Sequence, residues 1–226
     1  MATLVNPITP FQSVATTITP VPERPDVGVV VRPVLAGDVP LLSRSLARAF
    51  FDDPVSMYWF PGEARRQQRL ERYFRFHLTT LFLPRGEAWT TPNLDAGSMW
   101  IPPLAKLPTF GEGLSQLFSV AAILGRKTPR AIRLVQLLQS HHPTSPHFYL
   151  GGIGTDPDVQ GRGYGSALLR VVLDRCDSEG TPSYLESSKE ANLAFYYRHG
   201  YEVVREVTIP QTQVKLWLMW REPGGG

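Results

Sequence analysis

The chain has 226 residues, 42% of them hydrophobic and 19% charged, which is enough for one well-buried domain and too little for two comfortable ones. Its formal charge of +3 suits an anionic ligand but is too weak to imply nucleic-acid binding, and no apolar run approaches the ~20 residues that cross a bilayer. Cys176 is the only cysteine, so no intrachain disulfide can form, and the N-terminus lacks the pattern of a secretory signal. A cytoplasmic protein is expected, without a membrane or nucleic-acid partner.

Residues 1–26 carry Pro7, Pro10, Pro20, Pro22 and Pro25, a density that breaks helical periodicity and predicts a flexible arm. The β-branched run Val27 to Arg32 reads as a first strand. Asp38 then offers a helix N-cap with Pro40 in the first turn, and Val39, Leu42, Leu46, Ala49 and Phe50 follow at helical spacing. A second helix is predicted from Glu63 to Phe82, with Leu70, Tyr73, Phe74, His77, Leu78 and Leu81 on one face. Its arginines, Arg65, Arg66, Arg69, Arg72 and Arg75, read as a solvated surface, because no aromatic interleaving accompanies them.

Two short strands, 87–91 and 96–101, are joined by the turn formers Pro92, Asn93 and Asp95. Helix returns in 102–146, in one apolar segment from Leu114 to Leu124 and a second from Ala131 to Leu138. The remainder alternates: strand 148–155, helix 163–178, strand 183–187, helix 190–199, and strands near 201–209 and 214–220, before a frayed Gly224–Gly226. This rhythm predicts a mixed α/β sheet with helices on both faces.

The stretch that carries chemistry is Ile153-Gly154-Thr155-Asp156-Pro157-Asp158-Val159-Gln160-Gly161-Arg162-Gly163-Tyr164-Gly165-Ser166. A strand ends, a Pro-Asp turn follows, and alternate glycines lead into a helix whose free N–H groups and dipole favour a pyrophosphate. A Walker loop would need Gly-Lys-Ser/Thr at the helix start, which is missing. A dinucleotide fingerprint counted from Gly161 ends on Ser166 instead of Gly or Ala, and no acidic ribose ligand compels it. The acyl-coenzyme A pattern, Gln/Arg-x-x-Gly-x-Gly/Ala after a strand, is met at every place by Gln160 to Gly165.

With Tyr184-Leu185-Glu186-Ser187-Ser188 and Asn192-Leu193-Ala194-Phe195-Tyr196-Tyr197 downstream, the chain resembles the GNAT superfamily of N-acetyltransferases, and within it the puromycin N-acetyltransferase-like proteins. The resemblance is strong from about His147 to Pro223, weaker at Gly37-Asp38-Val39-Pro40 and Ala47-Arg48-Ala49-Phe50, and thin over 51–146. It implies one GNAT-type α/β domain over 27–223, with an acceptor-side half (27–146) and an acetyl-CoA-binding half (147–223). Its twisted sheet is mixed and mostly antiparallel, with a splayed parallel strand pair for the coenzyme.

The same resemblance implies that Ile153, Gly154 and Thr155 present backbone groups to the pantetheine arm of acetyl-CoA. The segment Gln160, Gly161, Arg162, Gly163, Tyr164, Gly165 and Ser166 would cradle the pyrophosphate. Tyr196 takes the place of the family's tyrosine beside the coenzyme sulfur, and Asn192, four residues earlier on the same helical face, contacts the coenzyme or fixes its turn.

An attacking amine must lose a proton, and Glu186 near the end of its strand is the first candidate base. Asp52 and Asp53 either attract a cationic acceptor or cap a turn, and Trp59, Phe60, Trp89 and Trp100 either line an acceptor pocket or belong to the core. His141, His142 and His147 lack metal-ligand spacing, so no metal is expected, and Cys176 sits on an apolar helix face as a core thiol. The expected activity is acetyl transfer from acetyl-CoA to a primary amine of a small molecule, by a monomer or homodimer. The alternatives are a protein N-terminal or lysine acetyltransferase and a catalytically silent acyl-CoA-binding module.

Overall fold

The computed structural model describes residues 28–105 and 128–224, so the arm expected over 1–26, the apolar segment from Leu114 to Leu124 and the last two glycines lie outside the described residues. Seven strands form one sheet: β1 (Arg32–Pro33), β2 (Glu87–Thr90), β3 (Ala96–Ile101), β4 (Phe148–Thr155), β5 (Ser183–Ser187), β6 (Glu202–Thr208) and β7 (Lys215–Arg221). Their order is β1-β2-β3-β4-β5-β7-β6, and every pairing is antiparallel except β4 with β5. The first strand is shorter than its β-branched run predicts. Only Arg32 and Pro33 pair, opposite Thr90 and Trp89, and a proline without an N–H donor is tolerated there because β1 is an edge.

β4 and β5 hold register only from Phe148 opposite Ser183 to Leu150 opposite Leu185. Beyond that point each strand keeps only its other neighbour. Gly152 to Thr155 stay paired to β3, while Glu186 and Ser187 stay paired to β7. The bend starts at a bulge, where Met99 faces Gly152 and Trp100 faces Leu150, leaving Gly151 as the extra residue. The parallel pair therefore opens into a wedge toward its C-terminal ends.

One face of the sheet is covered by α1 (Val39–Ala49), α2 (Pro54–Trp59), α3 (Arg66–His77) and α4 (Thr128–His141), with α3 running on through a wider turn at Leu78–Phe82 and a last turn at Leu83–Arg85. Leu42 and Leu46 of α1 and Leu70, Phe74 and Leu78 of the α3 run pack with Met99, while Leu134 of α4 packs with Tyr184, Leu216 and Leu218. Gly154 lets α1 lie directly on β4, since a Cβ there would fall 2.9 Å from that of Ala49. The opposite face carries α5 (Tyr164–Glu179) and α6 (Leu193–Tyr197), and Leu169, Val172, Leu173 and Cys176 of α5 meet Phe148, Leu150, Leu185 and Met219. Burial pushes the Cys176 thiol up to about 12, in keeping with a core thiol.

Three local expectations change and one short helix is added. Asp38 precedes α1 but does not cap it: its carboxylate is taken by Arg32 at 2.6 and 3.0 Å and by the Leu35 amide at 2.8 Å. Residues 54–59 form the short helix α2, which the proline and aromatic content hid. Arg66 is not on a solvated surface. It is buried and donates to the carbonyls of Phe60 (2.7 Å), Phe51 (3.2 Å) and Pro61 (3.2 Å), closing the turns around α2. The helix expected over 190–199 divides into a tight turn at Glu190–Asn192 and α6, and it ends at Gly200, whose φ of +80° no further helical residue adopts.

Candidate active site

The glycine-rich turn is built on the end of β4. Asp156 accepts the Asp158 amide at 3.1 Å, the Val159 amide donates to the Asp156 carbonyl at 3.0 Å, and the Gln160 side-chain amide donates to the Thr155 carbonyl at 3.1 Å. Gly161 and Gly163 have φ of +77° and +82°, the left-handed region open to glycine at little cost, and a Cβ at Gly161 would meet nothing within 4 Å. Their requirement is thus conformational at Gly161 and Gly163. At Gly165 it is spatial, because a Cβ would sit 3.2 Å from the Phe195 ring of α6.

At the head of α5 the Ala167 amide donates to the Gly163 carbonyl at 3.0 Å. The amides just before it stand at the helix end, where they have no carbonyl one turn back and where the dipole is positive. Arg162 is exposed beside them. This arrangement fits a pyrophosphate, and the open wedge between β4 and β5 fits an extended amide-bearing arm that pairs with the free edge of Ile153 to Thr155. The turn has a support that sequence reading missed. Arg48, at the end of α1, reaches Asp156 at 2.8 Å and Asp158 at 2.7 Å, so α1 braces the loop across 108 and 110 residues of sequence. Only the short match around Ala47-Arg48-Ala49-Phe50 marked it.

Tyr196 and Glu186 come from different elements, α6 and β5. Tyr196 on α6 is buried, with its ring 5.2 Å from Phe195 and 6.0 Å from Tyr201. Burial, and then the negative charge of Asp53, push its phenol well above the usual tyrosine range, so it stays a protonated donor. Asn192 is exposed and ends the turn before α6, where its amide donates to the Lys189 carbonyl at 3.1 Å.

Glu186 pairs with Leu218 in the sheet, and its side chain is only 8% exposed. Around it stand Tyr149 and Tyr184, stacked with ring centroids 6.1 Å apart. Burial first, and then the Glu186 carboxylate, hold both phenols far above their ordinary range. His142, just past α4, places Nδ1 3.9 Å from Glu186 Oε1. Nothing in the sequence neighbourhood of His142 points toward β5.

Asp53 is buried and caps α2, accepting the amides of Val55 at 2.9 Å and Ser56 at 3.0 Å. Its other oxygen accepts the Ser188 hydroxyl, and next to it Asp52 pairs with Lys189 at 2.5 Å. Capping is thus the observed role of Asp53, and its charge also acts on Tyr196 and Tyr73. Trp100 does not line the wedge. It is fully buried on the α5 side of the sheet, and its indole N–H donates to Ser98 Oγ at 3.2 Å. Among the described residues no group of His, Cys, Asp and Glu is placed to hold a metal, and no helix is long and apolar enough to cross a membrane.

The family model described as the acetyltransferase (GNAT) family matches residues 105–201, which include the glycine turn, Glu186 and Tyr196. The chain is 26% identical over 210 residues to an uncharacterized N-acetyltransferase of Schizosaccharomyces pombe, covering 84% of this chain and 82% of that protein. Among solved structures it is similar to the histone acetyltransferase HPA2 and related acetyltransferase from Corynebacterium glutamicum, with TM-score 0.65, 21% identity, and coverage of 87% of this chain and 97% of that one. It is also similar to the polyamine N-acetyltransferase of Drosophila melanogaster, with TM-score 0.54, 15% identity, and coverage of 86% and 99%. The wedge in the parallel pair, the glycine turn at the head of α5 and the family match over both agree: the chain has a GNAT-type α/β fold and is similar over residues 105–201 to the GNAT acetyltransferases, enzymes whose acetyl donor is acetyl-CoA.

Proposed function

We propose that the acceptor is a primary amine of a small molecule and that the acetyl group reaches it by direct attack, without an acyl-enzyme. The observation that carries this reading is the setting of Glu186. Its carboxylate is 8% exposed and lies beneath the end of α4, between two phenols, where a slender amine fits better than a folded protein surface. Trp100 takes no part, since its ring faces the core.

Acetyl-CoA supplies the activated acetyl group as a thioester. The amides of Gly161 to Ser166 hold its pyrophosphate with Arg162 as charge partner, the free edge of Ile153 to Thr155 orients its pantetheine, Gln160 keeps the turn in shape and Asn192 contacts the coenzyme. Glu186 accepts the proton that the acceptor ammonium must lose before attack. As the C–N bond forms and the C–S bond breaks, Tyr196 donates a hydrogen bond to the departing sulfur. A phenol is a weaker acid than a thiol (~10 against ~8.5 in models), so hydrogen bonding suffices and complete proton transfer is not required. Positioning and polarisation supply most of the rate.

The test is release of free coenzyme thiol from acetyl-CoA with a panel of small amines, puromycin included because of the sequence likeness, beside peptides bearing free N-termini or lysines. Turnover confined to peptides overturns the small-molecule reading. Tight coenzyme binding without turnover on any amine overturns the assignment of Glu186 and Tyr196.

A further inference from the structure

We infer that His142 is a positioning residue that carries the acceptor's proton from Glu186 to solvent. The inference rests on Glu186 being the base.

A carboxylate that is 8% exposed is well placed to take a proton and poorly placed to return it to water. His142 bridges that gap. Its Nδ1 lies 3.9 Å from Glu186 Oε1, and its side chain is 37% exposed, so the ring spans from the enclosed carboxylate to the surface. A separation of 3.9 Å is closed by one bridging water or a small ring rotation.

The ring is also held in place. Its edge meets Tyr149 at 5.2 Å and 80°, and Tyr184 at 5.1 Å and 86°. His147 lies 4.9 Å away and is itself fixed by Nδ1 against the Ser145 carbonyl at 2.7 Å. The titratable groups facing His142 are thus Glu186 and Tyr184 from β5, Tyr149 from β4 and His147 from the loop before it. Burial keeps both phenols protonated and disfavours charge on His147. Within this cluster the close approach of charged or ionisable atoms is between Glu186 Oε1 and His142 Nδ1.

The balance is simple. The ammonium nitrogen gives one proton to the Glu186 carboxylate. The carboxyl proton passes to Nδ1 of neutral His142, and the imidazolium releases its Nε2 proton to water at the exposed edge. Exchange with water restores the starting tautomer, and Glu186 is again ionised. Because the base would then act through His142, removing the ring should change how turnover depends on pH as well as how fast it is.

The experiment compares wild type, His142→Gln, His142→Gly and Glu186→Gln. Each is assayed by thiol release with acetyl-CoA and the fastest amine of the panel, from pH 5 to 9. His142→Gln is expected to lower kcat about tenfold or more, within the range of general-base effects, with little change in KM for acetyl-CoA. The acid limb of kcat/KM should change in slope. His142→Gly should recover activity on adding imidazole, which can enter from the exposed side. An unchanged kcat in His142→Gln overturns the proposal. So does a loss of kcat that leaves the slope of the acid limb unaltered and is not restored by imidazole, since a merely structural ring behaves that way. Full activity in Glu186→Gln instead overturns the underlying base assignment, and a loss in Glu186→Gln with none in His142→Gln defeats the relay alone.

Discussion

Asp53 and Ser188 are 135 residues apart and share a hydrogen bond, with the serine hydroxyl donating to the carboxylate that also caps α2. The adjacent pair, Asp52 and Lys189, repeats the link at 2.5 Å. Two successive residues before α2 thus latch onto two successive residues after β5, tying the start of α2 to the segment that leads into Tyr196. Asp53→Ala removes the cap and leaves two amides without their acceptor, which should cost about 1–3 kcal/mol of stability in urea unfolding. Asp53→Asn can still accept those amides and should recover most of the loss. Equal destabilisation by both variants would show that the negative charge, not the cap, holds the latch.

Arg48 braces the glycine turn from a distance. Its guanidinium is 41% exposed and meets Asp156 and Asp158, so solvent screens the pairs and their contribution to folding is small. Their effect should appear in loop placement. Arg48→Ala is expected to raise KM for acetyl-CoA about three- to tenfold with kcat nearly unchanged, and high salt should narrow the difference from wild type. A Tm drop without any change in KM would assign Arg48 to stability alone.

The sheet was legible because its strands are short and regularly punctuated by turn formers: β3, β4 and β5 fall on the residues that the pattern predicts. The glycine turn was legible for a different reason, since Gly161 and Gly163 serve a backbone conformation that few other residues adopt. What stayed hidden depends on contacts that no local pattern encodes. Arg66 looks like its solvated neighbours until Phe51, Phe60 and Pro61 present carbonyls to it, and His142 acquires a partner only when β5 is laid beside the end of α4. Trp100 shows the converse, because alternation along a strand does not say which face carries the site.

Alkaline pH should destabilise the protein. Burial raises the Cys176 thiol and the Tyr73 phenol to about 12, and the negative charge of Asp53 adds to the effect on Tyr73. In the unfolded chain these groups ionise near their model values of 9.0 and 10.0. Folded pKa values above unfolded ones mean that the stabilising contribution is complete below pH 9 and is lost as pH rises toward 12. Urea midpoints should therefore fall from pH 9 upward, and Cys176→Ala should flatten the first part of the decline. Rapid reaction of Cys176 with a thiol reagent in the native protein at pH 8 would contradict its burial.

Gly163 separates conformational need from steric need. With φ of +82° and only Val29 Cγ2 at 3.9 Å from a built Cβ, the position has room for a side chain but not for an ordinary backbone. Gly163→Ala should cost roughly 1–2 kcal/mol and raise KM for acetyl-CoA, because relief of the strain turns the α5 amides away. Asparagine tolerates this region, so Gly163→Asn should bind the coenzyme better than Gly163→Ala despite its larger side chain. The reverse order in calorimetry would mean that crowding, not φ, makes glycine necessary.

Tyr196 offers the sharpest test of the chemical step. Burial first, and then the negative charge of Asp53, keep its phenol protonated, so Tyr196 should act as a neutral donor throughout the working pH range. Tyr196→Phe keeps the ring against Phe195 and Tyr201 and removes only the hydroxyl. Loss of one donor to charge developing on sulfur should lower kcat about ten- to a hundredfold and leave KM for acetyl-CoA within a few-fold. A donor that never ionises also predicts that the alkaline limb of kcat is the same in wild type and Tyr196→Phe. If that limb disappears in the variant, Tyr196 loses its proton during turnover. If kcat is unchanged while chemistry limits the rate, another group carries the thiolate.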